Sequence, residues 1–397
     1  MSPEERPGRA QDDPRVREAV QLMLQFADRT GLSSGRPPQR YLWTDAFAVC
    51  NLVGLARATG DRKHGQLALQ LVDAVHTTLG RHRPDDARKG WISGLGELAG
   101  AAHPTRRGLR IGKKLPERLP GDPLDERLEW DRDGQYLHYL TKWMHALDQV
   151  ARWTGEPRYN LWARELAAAA YAGFSYRPPG SERLRLFWKM SIDLSRPLVA
   201  SMGQHDAVDG LITCAQLRAT ATALKGGETG PSLEAELAGF AAMSEPDHWA
   251  TADPLGLGGL LMDAGRVAQI RTPDGAVNDE LLRSLLAAAA EGLHHPAVEE
   301  ELRGPASHRL AFRELGLSIG LHALPLLEGT GSPGTRALVA ALGPTRRLGP
   351  AIESFWLDPE HRRAATWAEH RNINEVMLAT SLSPDGCLRL VDVGAAR

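Results

Sequence analysis

Leu55-Ala-Arg-Ala-Thr-Gly-Asp61 is the most informative stretch of this chain for the fold, because a close copy, Val150-Ala-Arg-Trp-Thr-Gly-Glu156, recurs further along. Both copies end an apolar helical stretch with Thr-Gly-acid, and both precede a second stretch rich in Ala and Leu. The glycine suits the left-handed C-cap of a helix, and the acid favours the start of the next helix. We interpret each copy as the turn of a helical hairpin, although two unrelated helix ends would give the same pattern.

Apolar residues recur at helical spacing along nearly the whole chain, whereas alternating strand-like runs are scarce. Twelve helix-like segments follow one another, and they form six hairpins only if the first segment joins the last. The sequence thus predicts an all-α ring of inner and outer helices. The predicted segments cover residues 16–30, 43–58, 66–79, 136–153, 159–172, 207–224, 232–243, 255–270, 280–292, 310–327, 334–342 and 373–380.

These hairpins and their Thr-Gly-acid stops resemble the six-hairpin glycosidase-like superfamily, whose members are (α/α)6 toroids. That superfamily includes glycoside hydrolases, unsaturated-uronyl hydrolases and N-acylglucosamine 2-epimerases, and no signature of a single family stands out. The resemblance spans nearly the whole chain. It implies one toroid domain over residues 1–397, in which the N-terminal helix pairs with the C-terminal inner helix and the active site lies at the mouth of the ring.

Composition narrows the classes of protein that fit. The chain has 397 residues, 42% hydrophobic and 24% charged, a balance typical of soluble globular proteins. Its net charge of −2 argues against general binding to nucleic acids or anionic membranes. Cys50, Cys214 and Cys387 are odd in number and far apart, which argues against a disulfide framework or a thiolate zinc site. Residues 1–14 lack the apolar core of a secretory signal and are predicted to be a flexible tail of a cytoplasmic protein.

Two long connections, residues 81–131 and 174–205, are predicted to be loops that lead from outer to inner helices. Compact domains seldom carry loops of this length without a function. In a ring of hairpins both would lie on the same face. We therefore expect the active site at that face.

Acidic residues stand near the starts of the predicted inner helices. Cleavage of a glycosidic bond needs one carboxyl that donates a proton and a second carboxylate that attacks or activates water. We select Asp45, Asp133 and Asp206 as catalytic candidates. Capping of the helix N-terminus is the more common role of an aspartate at such a position.

Aromatic and polar residues near the same helix starts suit sugar binding, since rings stack on pyranose faces and polar groups bind hydroxyls. For the tryptophans and His138, packing in the core is the alternative. The run His370-Arg-Asn-Ile-Asn-Glu375 is the densest, and it places His370 and Asn374 on one helix face. The predicted substrate-binding residues are Trp43, Tyr136, His138, Trp188, Gln204, His205, Asp209, Asp253, His308, His370, Asn374 and Glu375.

The leading interpretation is a glycoside hydrolase-like enzyme that cleaves a sugar or uronyl glycosidic bond, with a small-molecule carbohydrate substrate, no metal, no cofactor and no nucleic-acid or membrane partner. One alternative is an epimerase of the N-acylglucosamine 2-epimerase type, which needs two bases beside one carbon. His205, His308 and His370 could supply them. The other alternative is a toroid that binds a ligand without catalysis.

Overall fold

The computed structural model describes residues 13–270, 275 and 277–394. Most of these residues are helical, which confirms the all-α class. The tail predicted at residues 1–14 lies outside the described residues up to position 12, and the first helix begins at Pro14. The helices are α1 (Pro14–Arg29), α2 (Leu42–Thr59), α3 (Arg62–Leu79), α4 (Glu97–Ala102), α5 (Glu126–Asp131), α6 (Leu137–Thr154), α7 (Pro157–Phe174), α8 (Asp206–Ala223), α9 (Glu234–Met243), α10 (Pro254–Gln269), α11 (Asp279–Leu293), α12 (Pro296–Arg303), α13 (Ala311–Leu321), α14 (Pro333–Leu342), α15 (Leu348–Leu357), α16 (Ala365–Glu369), α17 (Arg371–Leu382) and α18 (Asp385–Leu388).

Each of the twelve predicted segments is helical in the structure. The longest departure is at residues 310–327, where α13 ends at Leu321 and a separate 3-10 turn follows at Leu324–Leu327. Pro325 explains the break, because proline has no N–H to continue an α-helix. The short helices α4, α5, α12, α16 and α18 are not predicted from the sequence, because they are too brief to show a periodic pattern.

The two Thr-Gly-acid turns have the same geometry. Gly60 and Gly155 are both left-handed, with φ of 72° and 73°. In the first turn, Thr59 Oγ1 donates to the carbonyl of Leu55 at 2.7 Å and accepts the N–H of Asp61 at 3.1 Å. In the second turn the equivalent threonine makes the equivalent two bonds, at 2.8 and 3.2 Å. The repeat is therefore one structural motif used twice.

The chain divides into two compact units. The first contains Met1–Arg29, Cys50–Leu67 and Glu245–Leu390, and the second contains Thr30–Val49, Ala68–Ser244 and Val391–Arg397, so that α2 and α3 contribute to both. A single domain over the whole chain stays a prediction. No helix in the described part of the chain is both long and apolar enough to cross a bilayer.

In the first unit, α1 packs against α17, as predicted for the N-terminal helix and the last inner helix. A buried carboxylate joins these helices. Glu353 of α15 accepts two hydrogen bonds from Arg15 of α1, at 2.7 and 2.9 Å, one from Ser381 of α17 at 2.7 Å, and pairs with His322 at 2.8 Å. Burial raises the pKa of Glu353, but these partners outweigh it and hold the pKa below its ordinary value.

In the first unit α10 and α13 pack closely. A Cβ added at Gly258 would lie 2.1 Å from the carbonyl oxygen of Gly316, and one added at Gly320 would lie 2.5 Å from that of Gly258. Any larger residue at these two positions would push the backbones apart. Gly258 and Gly320 thus serve helix packing.

In the second unit, α6 packs against α7 and α8. Asp148 of α6 is the polar link among them. It accepts hydrogen bonds from Asn160 of α7 at 3.1 Å, from Gln216 and Thr220 of α8 at 2.7 and 3.0 Å, and from Arg152 at 3.0 Å. Four donors satisfy a fully buried carboxylate, so this link joins the C-terminal halves of α6 and α8.

The two long connections are more structured than the predicted loops. The first contains α4 and α5, and the second contains β2 (Ser175–Tyr176), β3 (Arg185–Leu186), β4 (Lys189–Met190) and β5 (Pro197–Val199). β2 pairs with β3, and β4 lies between β5 and β1 (Gln135–Tyr136) in antiparallel register, with Tyr136 opposite Lys189. This three-stranded sheet anchors the second connection at the start of α6.

Replacing Glu353 by Ala should destabilise the protein by about 1–3 kcal/mol, because the buried hydroxyl of Ser381 would lose its acceptor and the partly exposed Arg15 and His322 their partner. Urea unfolding followed by circular dichroism measures the change. Glu360→Ala is the matched control, since Glu360 is exposed and pairs only with an exposed arginine. Equal midpoints for the two variants would show that Glu353 does not hold α1 in place.

Candidate active site

The first turn of α8 carries two carboxyl groups of the second unit. Asp206 and Asp209 lie three residues apart, so their side chains share one face of the helix. Both are nearly fully buried. Two acids that face the same environment from adjacent positions on a helix repel each other when both are ionised.

Asp206 has few partners for a buried carboxyl. Its Oδ2 atom is buried and accepts no hydrogen bond from the described residues. Its Oδ1 atom lies 3.8 Å from Nδ1 of His138, beyond hydrogen-bond distance. Burial raises the pKa of Asp206 to about 7, the neighbouring charge of Asp209 adds to this, and Lys142 opposes it. A carboxyl with this pKa can hold a proton at neutral pH and release it.

Asp209 is in a different environment. Nζ of Lys142 lies 3.0 Å from its Oδ1 atom, and the hydroxyl of Thr141 donates to its Oδ2 atom. An ammonium partner and a hydroxyl donor both favour the ionised form of a carboxyl. The pair therefore combines one carboxyl favoured as the acid with one favoured as the anion.

Several aromatic rings lie around His138, whose own ring approaches Asp206. His138 of α6 stacks on Tyr136 (ring centroids 5.2 Å apart) and on Trp188 (6.1 Å), and its ring is edge-on to Tyr139 at 4.9 Å. Trp130 is edge-on to Trp188 at 5.0 Å. Tyr136 is buried, whereas Trp188 and Tyr139 are half-buried and Trp130 is exposed. We call Tyr136, His138, Tyr139, Trp188 and Trp130 the aromatic cluster.

His138 links the aromatic cluster to the acids. Its side chain is 31% exposed, but its Nδ1 atom is buried and has no hydrogen-bond partner among the described residues. Burial lowers the pKa of His138 to about 4, and Lys142 lowers it further, against the influence of Asp209. A pKa this low favours the neutral ring at pH 7, so His138 can stack on a ligand without carrying a charge.

Two further tyrosine and lysine contacts support the aromatic cluster. The hydroxyls of Tyr41 and Tyr139 lie 2.6 Å apart, and burial raises the pKa of Tyr139 well above its ordinary value. Lys189 is fully buried and donates to the carboxylate of Glu129 at 2.9 Å, and its ammonium lies 5.4 Å from the centre of the Tyr136 ring. These contacts hold the rings in place from behind.

Asp45 and Tyr41 close a helix start. The carboxylate of Asp45 accepts the N–H of Tyr41 at 3.0 Å and lies 3.4 Å from Arg40 Nη1. Burial raises its pKa to about 6, whereas Arg40 and the Tyr41 N–H lower it. This is the capping geometry that the sequence allows as an alternative. A catalytic role for Asp45 stays a prediction.

Asp133 is an anchor of the first long connection. Its carboxylate pairs with Arg110 at 2.6 Å and Arg83 at 3.5 Å, and it accepts the N–H groups of Gly112 and Gly134 at 3.0 and 3.1 Å. The side chain is fully buried and both oxygens are occupied. A catalytic role for Asp133 stays a prediction, but this geometry favours a structural one.

Three other predicted residues of the second unit lie at helix starts. Trp43 is buried and packs against Phe47 with ring centroids 4.6 Å apart, so little of its surface is left for a sugar. Gln204 is exposed, and His205 is half-buried at the N-cap of α8. Gln204 and His205 directly precede Asp206, and they remain substrate-binding candidates.

The other five predicted residues belong to the first unit. Asp253 caps α10 with its side chain and pairs with Arg313 at 2.9 Å. His308 is exposed in a 3-10 turn, and the ring of His370 is edge-on to Phe312 at 5.6 Å. Of the three histidines in the epimerase hypothesis, His205 belongs to the second unit, and His308 and His370 belong to the first. The hypothesis stays a prediction.

Asn374 and Glu375 are both held by protein contacts. The Asn374 amide is buried and donates to the carbonyl of Trp367 at 3.1 Å. The carboxylate of Glu375 pairs with Arg29 of α1 and, at 2.7 Å, with Arg371 of its own helix. Glu375 therefore ties α17 to α1, and a role in sugar binding stays a prediction for both residues.

Lys142 and Thr141 are not among the site residues predicted from the sequence. Lys142 stands four residues after His138 on α6, a spacing that puts the two on one helix face and could have drawn attention to it. Their approach to Asp209 depends on the packing of α6 against α8, which no local pattern reveals.

The acids of the second unit do not form a recognisable metal centre. Among its described residues, no three side chains of His, Cys, Asp or Glu bring their ligand atoms within 4.8 Å of one another. The sequence matches no known family model, and no curated protein matches it significantly.

Asp206→Asn should change how stability depends on pH. The folded pKa of about 7 exceeds the ordinary value of 3.8, so the stability that Asp206 contributes is fully present below pH 4 and is lost as the pH rises through 7. Asparagine does not ionise, so between pH 5 and pH 8 the variant should gain about 2–3 kcal/mol relative to the unmodified protein.

Urea unfolding at the two pH values measures this difference. Asp209→Asn is the control on the same helix turn. It should be destabilising at both pH values, because it leaves Lys142 without its carboxylate. A pH-independent difference between Asp206→Asn and the unmodified protein would mean that Asp206 ionises normally.

Proposed function

We propose that this chain is a carbohydrate-active enzyme that hydrolyses a glycosidic bond, with Asp206 as the proton donor. The observation that carries the proposal is the pair of carboxyls on α8 with opposite environments, Asp206 desolvated and Asp209 bonded to Lys142. Environments that separate the pKa values of two neighbouring acids are the usual way in which one enzyme runs acid and base chemistry at neutral pH.

The aromatic cluster supplies the second part of the proposal. A pyranose ring has C–H-rich faces that stack on aromatic side chains. Trp188 and His138 are both partly exposed, and His138 lies beside Asp206, so a sugar stacked on these rings would bring its glycosidic oxygen toward the carboxyl. His138 is neutral at pH 7, which suits a platform beside a group that must keep its proton.

The proposed reaction balances with water as the only co-reactant. Asp206 donates its proton to the glycosidic oxygen as the bond from the anomeric carbon breaks. The carboxylate of Asp209 stabilises or traps the positive charge that develops on the sugar. Water then adds its hydroxyl to the anomeric carbon and returns a proton to Asp206, so both side chains end in their starting forms.

We further propose that the helical hairpins close an (α/α)6 toroid. The packing of α1 against α17 supports this, because a closed ring requires the first and last segments to pair. The two Thr-Gly-acid turns of identical geometry support a repeated hairpin as its unit.

A proton-transfer isomerase is the second candidate, because a neutral imidazole and a protonated carboxyl lie side by side at His138 and Asp206. Such a pair could remove and return a proton beside a carbonyl. In D2O an isomerase would exchange a sugar C–H proton without creating new reducing ends. Hydrolysis creates reducing ends, and a binding protein does neither.

In a screen of alkyl glycosides, oligosaccharides and uronides, with new reducing ends as the readout, Asp206→Asn should lower kcat/KM by about 10²–10⁴-fold on any cleaved substrate, because an alkoxide leaving group needs a proton. In the unmodified enzyme kcat/KM should fall as the pH rises through about 7, because the acid form is consumed. Asp247→Asn is the control, since Asp247 is exposed in the first unit. Full activity of Asp206→Asn would exclude Asp206 as the proton donor.

A further inference from the structure

Exposed apolar side chains are concentrated in one short segment. Of the seven large apolar residues that are exposed in the described part of the chain, five lie between positions 115 and 130. Trp130 is 55% exposed and Leu119 is 62% exposed. We call these five the apolar ridge: Leu115, Leu119, Leu124, Leu128 and Trp130.

In the short helix α5 the apolar residues are exposed and an acidic residue is buried. Its Leu128 and Trp130 face solvent, whereas Glu129 between them is buried and bonded to the buried Lys189. Burial of an ion pair costs desolvation energy, and exposure of leucine and tryptophan gives up the hydrophobic gain of burying them. Stability alone therefore does not account for this orientation, which keeps the apolar residues available on the surface.

Several contacts fix the apolar ridge in that position. Arg118 donates to the carboxylate of Glu129 at 3.1 Å and to the carbonyl of Leu198 at 2.9 Å. Glu117 pairs with Arg88 and accepts the N–H of Ile192 at 2.7 Å. The first long connection is thus held to the second by bonds from Glu117 and Arg118. The apolar residues cannot turn inward without breaking these bonds.

The apolar ridge is continuous with the candidate active site. Trp130 belongs both to the ridge and to the aromatic cluster, since its ring is edge-on to Trp188 at 5.0 Å. Trp188 in turn stacks on His138, which lies beside Asp206. A molecule whose sugar ring lies on Trp188 and His138 would therefore reach Trp130, which belongs to the same short helix as Leu128.

We propose that the apolar ridge binds an apolar aglycone, an alkyl or aryl group attached to the sugar that the site receives. This assignment rests on the proposed function, because it takes the aromatic cluster as the sugar site. The substrate class is then an amphiphilic glycoside, with the sugar on Trp188 and the apolar group on Trp130, Leu128 and Leu119.

The charges around the apolar ridge are of both signs. Asp125, Glu126 and Asp131 are exposed on or beside α5, and Arg127 and Lys114 are exposed cations of the same segment. Anionic lipids bind segments in which basic residues predominate. A mixed surface therefore gives an anionic membrane no particular attraction and is compatible with a neutral apolar group attached to a sugar.

Calorimetric titration with n-octyl and methyl β-D-glucopyranoside, below the micelle concentration, tests the proposal. The octyl compound should bind the unmodified protein about tenfold or more tightly than the methyl compound, because the added methylenes leave water. In Leu128→Ser/Trp130→Ser the preference should fall to within about twofold. Leu98→Ser should keep it, since Leu98 is an exposed leucine of the same unit outside the apolar ridge.

Equal affinities for the two glucosides would overturn the proposal, and so would a preference that survives Leu128→Ser/Trp130→Ser. The proposal would also be overturned if the main effect of that variant were the loss of a dimer or of binding to phosphatidylcholine vesicles. The proposed function fails separately. If no glycoside is cleaved but the octyl preference stands and depends on Trp130, the ligand class holds without hydrolysis. If glycosides are cleaved with no effect of the aglycone, the enzyme assignment holds and the apolar ridge has another role.

Discussion

Desolvation of one carboxyl, Asp206, is the constraint on which the candidate site depends. A carboxylate in water is hardly affected by its neighbours. At the start of α8, Asp206 is instead buried in the protein, with Asp209 one turn away. The proton is retained because the charged form has lost its solvent. The enclosure exists where α8 packs against α6, which brings His138 and Lys142 beside the two acids. Asp148 joins the same two helices further along.

The same constraint explains why two neighbouring aspartates differ. Lys142 bonds Asp209 directly at 3.0 Å but acts on Asp206 only through its field. One ammonium thus divides the pair into an anion and an acid. Lys189 plays a comparable part behind the aromatic cluster, where its bond to Glu129 turns α5 outward and leaves Trp130 on the surface.

The sequence predicts the helices well because each is long, periodic and closed by recognisable residues, as the turn at Thr59 and Gly60 illustrates. It predicts the site less well. Asp133 and Asp206 look alike in sequence, since both precede or begin an inner helix. Only the structure gives Asp133 the guanidinium of Arg110, which comes from a connection with no periodic pattern, and leaves Asp206 without such a partner. Pairing across long connections is a tertiary property that local spacing cannot supply.

Whether Asp206 keeps its proton at neutral pH can be measured by carbon-13 NMR titration of aspartate-labelled protein. The Asp206 signal is assigned by its loss in Asp206→Asn. We expect this carboxyl to titrate with a midpoint near 7. A midpoint near the ordinary value of 3.8 would mean that Asp206 is ionised at neutral pH and cannot be the proton donor.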